Sequence, residues 1–214
     1  MYNLHAHSLL SDGCLLPSEL AMRYLAAGYK AVAITDHVDH SNIKQVIAAI
    51  TAFTRHWPKR SAIRVLPGIE LTHLPPEQFK PLVAYARKKG IKVIVGHGES
   101  PVEPVAKGTN RAALESGIDI LAHPGYLSDS DARLASRKKV FLEITSRSGH
   151  NRTNAFVAKK ALKFGCRLIL NHDSHDPEDI LSPAAFKKVG LKAGLSAGQV
   201  DRIFKDIESF VKSK

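Results

Sequence analysis

The chain has 214 residues, 44% of them hydrophobic, enough for the core of one large domain, and no linker-like stretch or charge block divides it. With 31 Lys and Arg against 20 Asp and Glu, the formal charge of +11 makes a positive surface, suited to phosphorylated metabolites or nucleic acid, or serving only solubility. No apolar run approaches bilayer-spanning length, Cys14 and Cys166 are too few for a disulfide framework, and the first strand starts at the second residue; the expectation is a soluble, unexported protein in a reduced, cytoplasmic setting.

The first apolar run, Tyr2 to His7, reads as a strand. Residues two apart on a strand share a face, so His5 and His7 would leave it in one direction, spaced to grip a common metal ion. A helix over 16–27 follows, with an early Pro17 and a terminal Gly28. The next strand, Ala31 to Ile34, ends in Thr35-Asp36-His37, and a helix over 41–57 carries Val46, Ile47, Ile50 and Phe53 on one face. A strand near residue 63 runs to Glu70, a helix over 76–89 stops at Gly90, and the strand from Lys92 ends at His97. A helix over 109–116 stops at Gly117, the strand from Ile118 ends at His123, and a helix spans 128–137. Strand 140–144 and helix 153–164 precede the strand from Arg167, which ends in Asn171-His172-Asp173-Ser174-His175.

Two more helices are expected, from Pro183 to about Val189 and from Ser196 to about Lys212. Ser196 and Gln199 have capping-box spacing, and Val200, Ile203, Phe204, Ile207, Phe210 and Val211 form an apolar face for structural packing or, as the alternative, an assembly interface.

Alternating strands and helices argue for parallel strands joined by right-handed crossovers, in either a closed barrel or an open doubly wound sheet. An open sheet gathers its site mainly at one switch point, whereas a barrel brings all its strand ends to one mouth. Ligand-type residues at nearly every strand end therefore favour an α/β barrel of about seven strands, a single domain over residues 1–214. A buried histidine is ordinarily a packing residue, but packing has no reason to set His, Glu or Asp at the end of strand after strand.

His5-Ala6-His7, Ser11-Asp12-Gly13, Thr35-Asp36-His37, Gly68-Ile69-Glu70, Ala122-His123-Pro124 and Asp173-Ser174-His175 together resemble the PHP family, the polymerase and histidinol phosphatase superfamily. The resemblance covers about residues 2–190 and implies a distorted (β/α)7 TIM-like barrel with a metal cluster of two or three divalent ions at its mouth. It implies that His5, His7, Glu70 and Asp173 hold one ion, Asp12, His37 and His175 a second, and Glu70, His97 and His123 a third, with Glu70 as the bridge. Mixed His/carboxylate shells suit zinc, manganese or iron more than calcium. Asp12 stands where some phosphatases of the family have histidine, which favours a harder ion such as manganese. His172 stands where a small residue is common; a supporting, substrate-facing or packed role each remains open. Asp36 is expected to orient a metal-bound imidazole, and Glu99 to support a ligand.

Such a cluster suits phosphoester hydrolysis, and with no nucleophilic Cys or Ser-His-Asp arrangement the expected nucleophile is a metal-bridging hydroxide. Asp12, His37, Glu70 and His175 would hold the metals that activate it. After strand 140–144, Arg147 and Arg152 with His150 between them form the expected substrate clamp, with Lys107 a further candidate. The expected substrate is a small phosphomonoester, as in a histidinol-phosphate phosphatase. Alternatives are a nucleotide or short-oligonucleotide 5′ substrate, or a noncatalytic metal-binding module beside a nucleic-acid partner.

Overall fold

Short apolar runs, each needing cover on both faces, become the strands of one parallel sheet. In the computed structural model, which describes residues 1–214, these are β1 (Tyr2–Asn3), β2 (Ala31–Ile34), β3 (His37–Val38), β4 (Arg64–Leu71), β5 (Val93–His97), β6 (Ile120–Ala122), β7 (Phe141–Thr145) and β8 (Arg167–Asn171). The hydrogen-bonded order is β1-β2-β4-β5-β6-β7-β8. β3 keeps the register of β2 against β4, with Ile34 opposite Pro67 and His37 opposite Glu70, so the two are one strand interrupted at Thr35-Asp36. Every residue of β2, β5, β6 and β7 is buried, as two-sided cover demands.

The barrel is nearly closed, and two asparagines complete the seam. At the mouth, Asp173 N–H donates to the His5 carbonyl (3.0 Å) and His7 N–H to the Ser174 carbonyl (2.8 Å). Deeper in, β1 and β8 do not pair directly. There Leu4 N–H donates to Asn171 Oδ1 and His172 N–H to Asn3 Oδ1, both at 2.8 Å. Buried amides that lack a strand partner are thereby satisfied by side chains.

The helices are α1 (Pro17–Ala26), α2 (Ile43–His56), α3 (Phe79–Lys88), α4 (Thr109–Ser116), α5 (Asp129–Lys138), α6 (Asn154–Phe164), α7 (Pro183–Lys192) and α8 (Ala197–Lys212). Ser196 and Gln199 form the expected capping box, and Val200, Ile203, Phe204, Ile207 and Val211 are buried where α8 lies on β8 and β1. Burial of each such side chain contributes about 1.5–3 kcal/mol of transfer free energy. The apolar face of α8 thus packs over the seam, which settles its role as structural packing.

Several boundaries differ from expectation, among them the first strand, which ends at Asn3 so that His5 and His7 lie just beyond it. The segment from Pro76 opens as a 3-10 turn over Pro76–Gln78 before α3, and His150–Thr153 is another before α6. α7 runs past Val189 because Gly190 is helical: a Cβ there would lie 2.7 Å from Val200 Cγ2 and 3.2 Å from Leu170 Cδ2, so the glycine lets α7 approach α8 and β8.

Candidate metal centre

Parallel strands all deliver their carboxyl ends to one mouth, and there the ligand-type residues collect. His5 and His7 follow β1, His37 opens β3, Glu70 and His97 lie at the ends of β4 and β5, and His123, Asp173 and His175 follow β6 and β8. Asp12 arrives on a loop folded over the first strand. Gly13 permits this, because a Cβ on it would sit 2.3 Å from the His7 carbonyl oxygen. His123 and Asp173 have positive φ values of 25° and 55°, a strained or sparsely populated conformation outside glycine.

The side chains interlock around Asp173 and Glu70. His7 Nε2 lies 3.2 Å from Asp173 Oδ1, and His123 Nε2 3.5 Å from Asp173 Oδ2. His5 Nε2 is 3.4 Å from Glu70 Oε1, and His37 Nδ1 2.7 Å from Glu70 Oε2. Asp12 is reached by His37 Nε2 at 3.5 Å and His175 Nε2 at 3.3 Å. The His7 ring stacks between His37 and His175, with centroids 4.1 and 4.2 Å away. Ligand atoms within 4.8 Å of one another form groups that could each hold an ion: His7, Asp12, His37 and His175; His5, His7 and Asp173; and Glu70, His97 and His123.

Burial opposes ionisation of Glu70 and Asp173, yet the facing imidazoles, His5 foremost, hold both carboxyls well below their usual range. Burial also opposes charging of His37, but Glu70 and Asp12 push its pKa up to about 9. His7, buried and beside His37, is pushed down to about 3. Protons on rings thus counter carboxylate charge where divalent cations can replace them.

A count of partners tests the fit. His5 Nε2, both ring nitrogens of His7, Glu70 Oε1 and His123 Nδ1 are buried without a hydrogen bond, since the neighbouring separations are too long or misaligned for one. An unsatisfied buried polar atom costs about 1–3 kcal/mol. Several together, all on residues of one His/carboxylate cluster, fit a bound-ion site.

Glu143 on β7, unforeseen from sequence, stands behind this group. Its Oε1 accepts from His5 Nδ1 (2.8 Å) and Asn171 Nδ2 (2.9 Å), and its Oε2 from the His123 backbone N–H (3.0 Å). It thereby turns His5 Nε2 inward. Its signal was a carboxylate in the middle of an otherwise uncharged, fully buried strand. Glu103, also unforeseen, reaches in from the loop before α4, with Oε2 2.8 Å from His97 Nε2 and Oε1 3.2 Å from His150 Nε2. His73 joins it at 3.1 Å.

Other expectations are revised. Asp36 orients no imidazole: it accepts from Ser8 N–H, Ser8 Oγ and Ser11 Oγ and anchors the loop bearing Asp12. Glu99 Oε1 instead accepts from the Gly108 and Asn110 amides. His172 is wholly buried and packed, its Nδ1 and Nε2 each 3.0 Å from the hydroxyls of Tyr24 and Tyr29. Burial holds its pKa down at about 3.

An inner cavity of about 80 Å³ is lined by polar side chains alone, among them Asp12, His37, His97, Arg147 and His150. Asp179 holds Arg147 Nη1 at 2.9 Å and also accepts from the His175 amide. His150 bonds Ser100 Oγ through Nδ1 at 2.7 Å. Arg152 does not line this cavity, and Lys107 lies exposed in the loop before α4, so the structure does not bring these two into the inner site. A wider groove of about 380 Å³ opens beside it over Asp12, His37, Asp39, Asn42 and His73.

Residues 3–98 match the PHP domain family. The chain is 40% identical over 205 residues to uncharacterized protein MJ1295 of Methanocaldococcus jannaschii, covering 94% of this chain and 93% of that one. It is 26% identical to DNA polymerase/3'-5' exonuclease PolX of Bacillus subtilis, across 98% of this chain but only 40% of PolX. It is 38% identical over 74 residues to 5'-3' exoribonuclease Rnm of Escherichia coli, covering 34% of this chain and 22% of Rnm. Among solved structures, a chain of an archaeal Ribonuclease P with mature tRNA shares the fold, with a TM-score of 0.67, 18% identity, and coverage of 97% of this chain and 90% of that one.

Proposed function

The chain belongs to the PHP domain family, and from that premise we propose that it is a metal-dependent phosphoesterase acting on the phosphorylated end of a nucleotide or short single-stranded nucleic acid. The observation that carries this reading is the set of buried, unpartnered ligand atoms beside the Arg147-lined inner cavity. His5, His7, Glu70 and Asp173 would hold one ion, Asp12, His37 and His175 a second, and Glu70, His97 and His123 a third. The mixed donors suit zinc, manganese or iron. When bound, such ions lower the pKa of coordinated water and neutralise charge on a phosphoryl group during in-line displacement.

The protein's own groups would do the rest. Arg147, held by Asp179, would bind nonbridging phosphoryl oxygens through its planar fork. His150, held at Nδ1 by Ser100 and at Nε2 by Glu103 in the wall of the inner cavity, would help position the phosphoryl group there. The open groove over Asp39 and Asn42 has room for a terminal nucleoside. The exonuclease names of PolX and Rnm support a nucleic-acid substrate. A second reading, a small phosphomonoester such as histidinol phosphate, draws support from the inner cavity, whose volume of about 80 Å³ suits a single phosphoryl group.

The test is turnover of metal-reconstituted protein on histidinol phosphate, mononucleotides and 5′-phosphorylated oligonucleotides, with His37→Ala as control. The proposal expects metal-dependent cleavage of the nucleotide substrates, abolished in the control. Absence of turnover on every member would refute the enzyme, and a higher kcat/KM on histidinol phosphate than on any nucleotide would install the second reading.

A further inference from the structure

A cavity of about 510 Å³ lies not at the metal centre but next to it. One wall is Thr145 and Ser146 at the end of β7 with Arg152 beyond them, and the other is the face of α7 that carries Lys188 and Lys192. Arg147, next in sequence to Ser146, lines the inner cavity, so consecutive residues after β7 serve the two spaces.

The charges in this outer groove are one-sided. Arg152, Lys188 and Lys192 line it, and no carboxylate does. None of the three belongs to an ion pair, whereas Lys187 on the same helix is paired with Asp201 at 3.0 Å, and Lys160 on α6 with Asp129. Lys188 and Lys192 also stand four residues apart on α7, a spacing at which like charges repel. A fold that leaves three cations together and uncompensated beside a phosphoesterase mouth presents an anion site. The groove over His37 and His73, by contrast, contains Asp12, Asp39 and Glu103 and is less suited to a polyanion.

We propose that the groove walled by Arg152, Lys188 and Lys192 binds the backbone phosphates of a single-stranded nucleic acid beyond the one being cleaved. This rests on the phosphoesterase reading and gives the substrate a direction. On a strand, the terminal nucleoside lies over Asp39 and Asn42, the first phosphodiester, which links it to the next nucleoside, is the reacting group beside Arg147, and the body of the strand leaves across α7. Arg152, which does not reach the inner cavity, thus acquires a role one phosphate further out.

The experiment compares manganese-loaded wild-type protein with the double variant Lys188→Ala/Lys192→Ala, using Lys187→Ala as a control cation outside the groove. The readout is kcat/KM for 5′-phosphorylated hexathymidylate divided by that for p-nitrophenyl phosphate. The double variant should lower this ratio at least tenfold, mainly through KM, and the control should not. Because a single strand loses about 0.7 of logarithmic salt slope per phosphate contact, the dependence of hexamer KM on salt should flatten by roughly 1.4. An unchanged ratio overturns the groove.

If the wild-type protein cleaves neither substrate, the phosphoesterase reading fails and fluorescence anisotropy of labelled hexathymidylate decides the groove alone. Binding weakened tenfold or more by the double variant sustains it. Equal binding by the two proteins, or none by the wild type, overturns it.

Discussion

His172 and His7 are both buried imidazoles near the end of the first and last strands, yet their surroundings differ in one respect. Both ring nitrogens of His172 meet a tyrosine hydroxyl at 3.0 Å, and the network continues from Tyr24 to Ser174 Oγ and Asn3. Both ring nitrogens of His7 lack a hydrogen-bond partner. One histidine is finished by the protein and the other is not. Burial alone does not separate structural from functional histidines, whereas partner accounting does.

Replacing each ring by an isosteric phenyl should break the comparison in opposite directions. His7→Phe should reduce turnover about a thousandfold, roughly 4 kcal/mol of barrier, while the metal-free melting temperature stays level or rises, because two orphaned nitrogens are removed. Kinetics with thermal unfolding of chelated protein would check this, and a melting temperature that falls with activity retained would contradict it. Glu143→Gln should lower metal affinity by about 10–100-fold, since it weakens the hold on His5 Nδ1 without touching an ion; competition with a chromogenic chelator reads it.

His172→Phe should do the reverse of His7→Phe. Loss of its bonds to Tyr24 and Tyr29 should cost about 1–3 kcal/mol of stability, seen in denaturant unfolding, with metal content and turnover per folded molecule preserved. The smallest effect is expected from Arg147→Lys, which keeps the charge but loses the planar fork. KM should rise roughly tenfold, about 1.4 kcal/mol, with metal content unaltered, and an unchanged KM would remove Arg147 from the site.

The same contrast marks what could be read from the amino-acid order. His5 and His7, expected to share a face by strand periodicity, do come together, with ring centroids 5.1 Å apart, although they lie just beyond β1, and glycines after helical segments stopped α1, α4 and α6 where expected. α7 runs on past the expected Val189, because Gly190 serves close packing against α8 and β8. β7 is buried on both faces, so alternation did not show that Glu143 points inward; only its charge in that setting could have. Glu103 sits on a loop with no periodicity, and its approach to His97 depends on how the segment before α4 folds back. The nitrogens of His172 likewise find their tyrosines on α1 and just after it, nearly 150 residues earlier in the chain, pairings that no local pattern encodes.

The most direct test is the number of divalent ions per chain, measured by native mass spectrometry on wild type, His172→Phe and His7→Phe after reconstitution. Two or three ions in the first two proteins and fewer in the third is the result predicted. The same stoichiometry in all three, or no stoichiometric ion in the wild type, would contradict the assignment of the unpartnered histidines to metal.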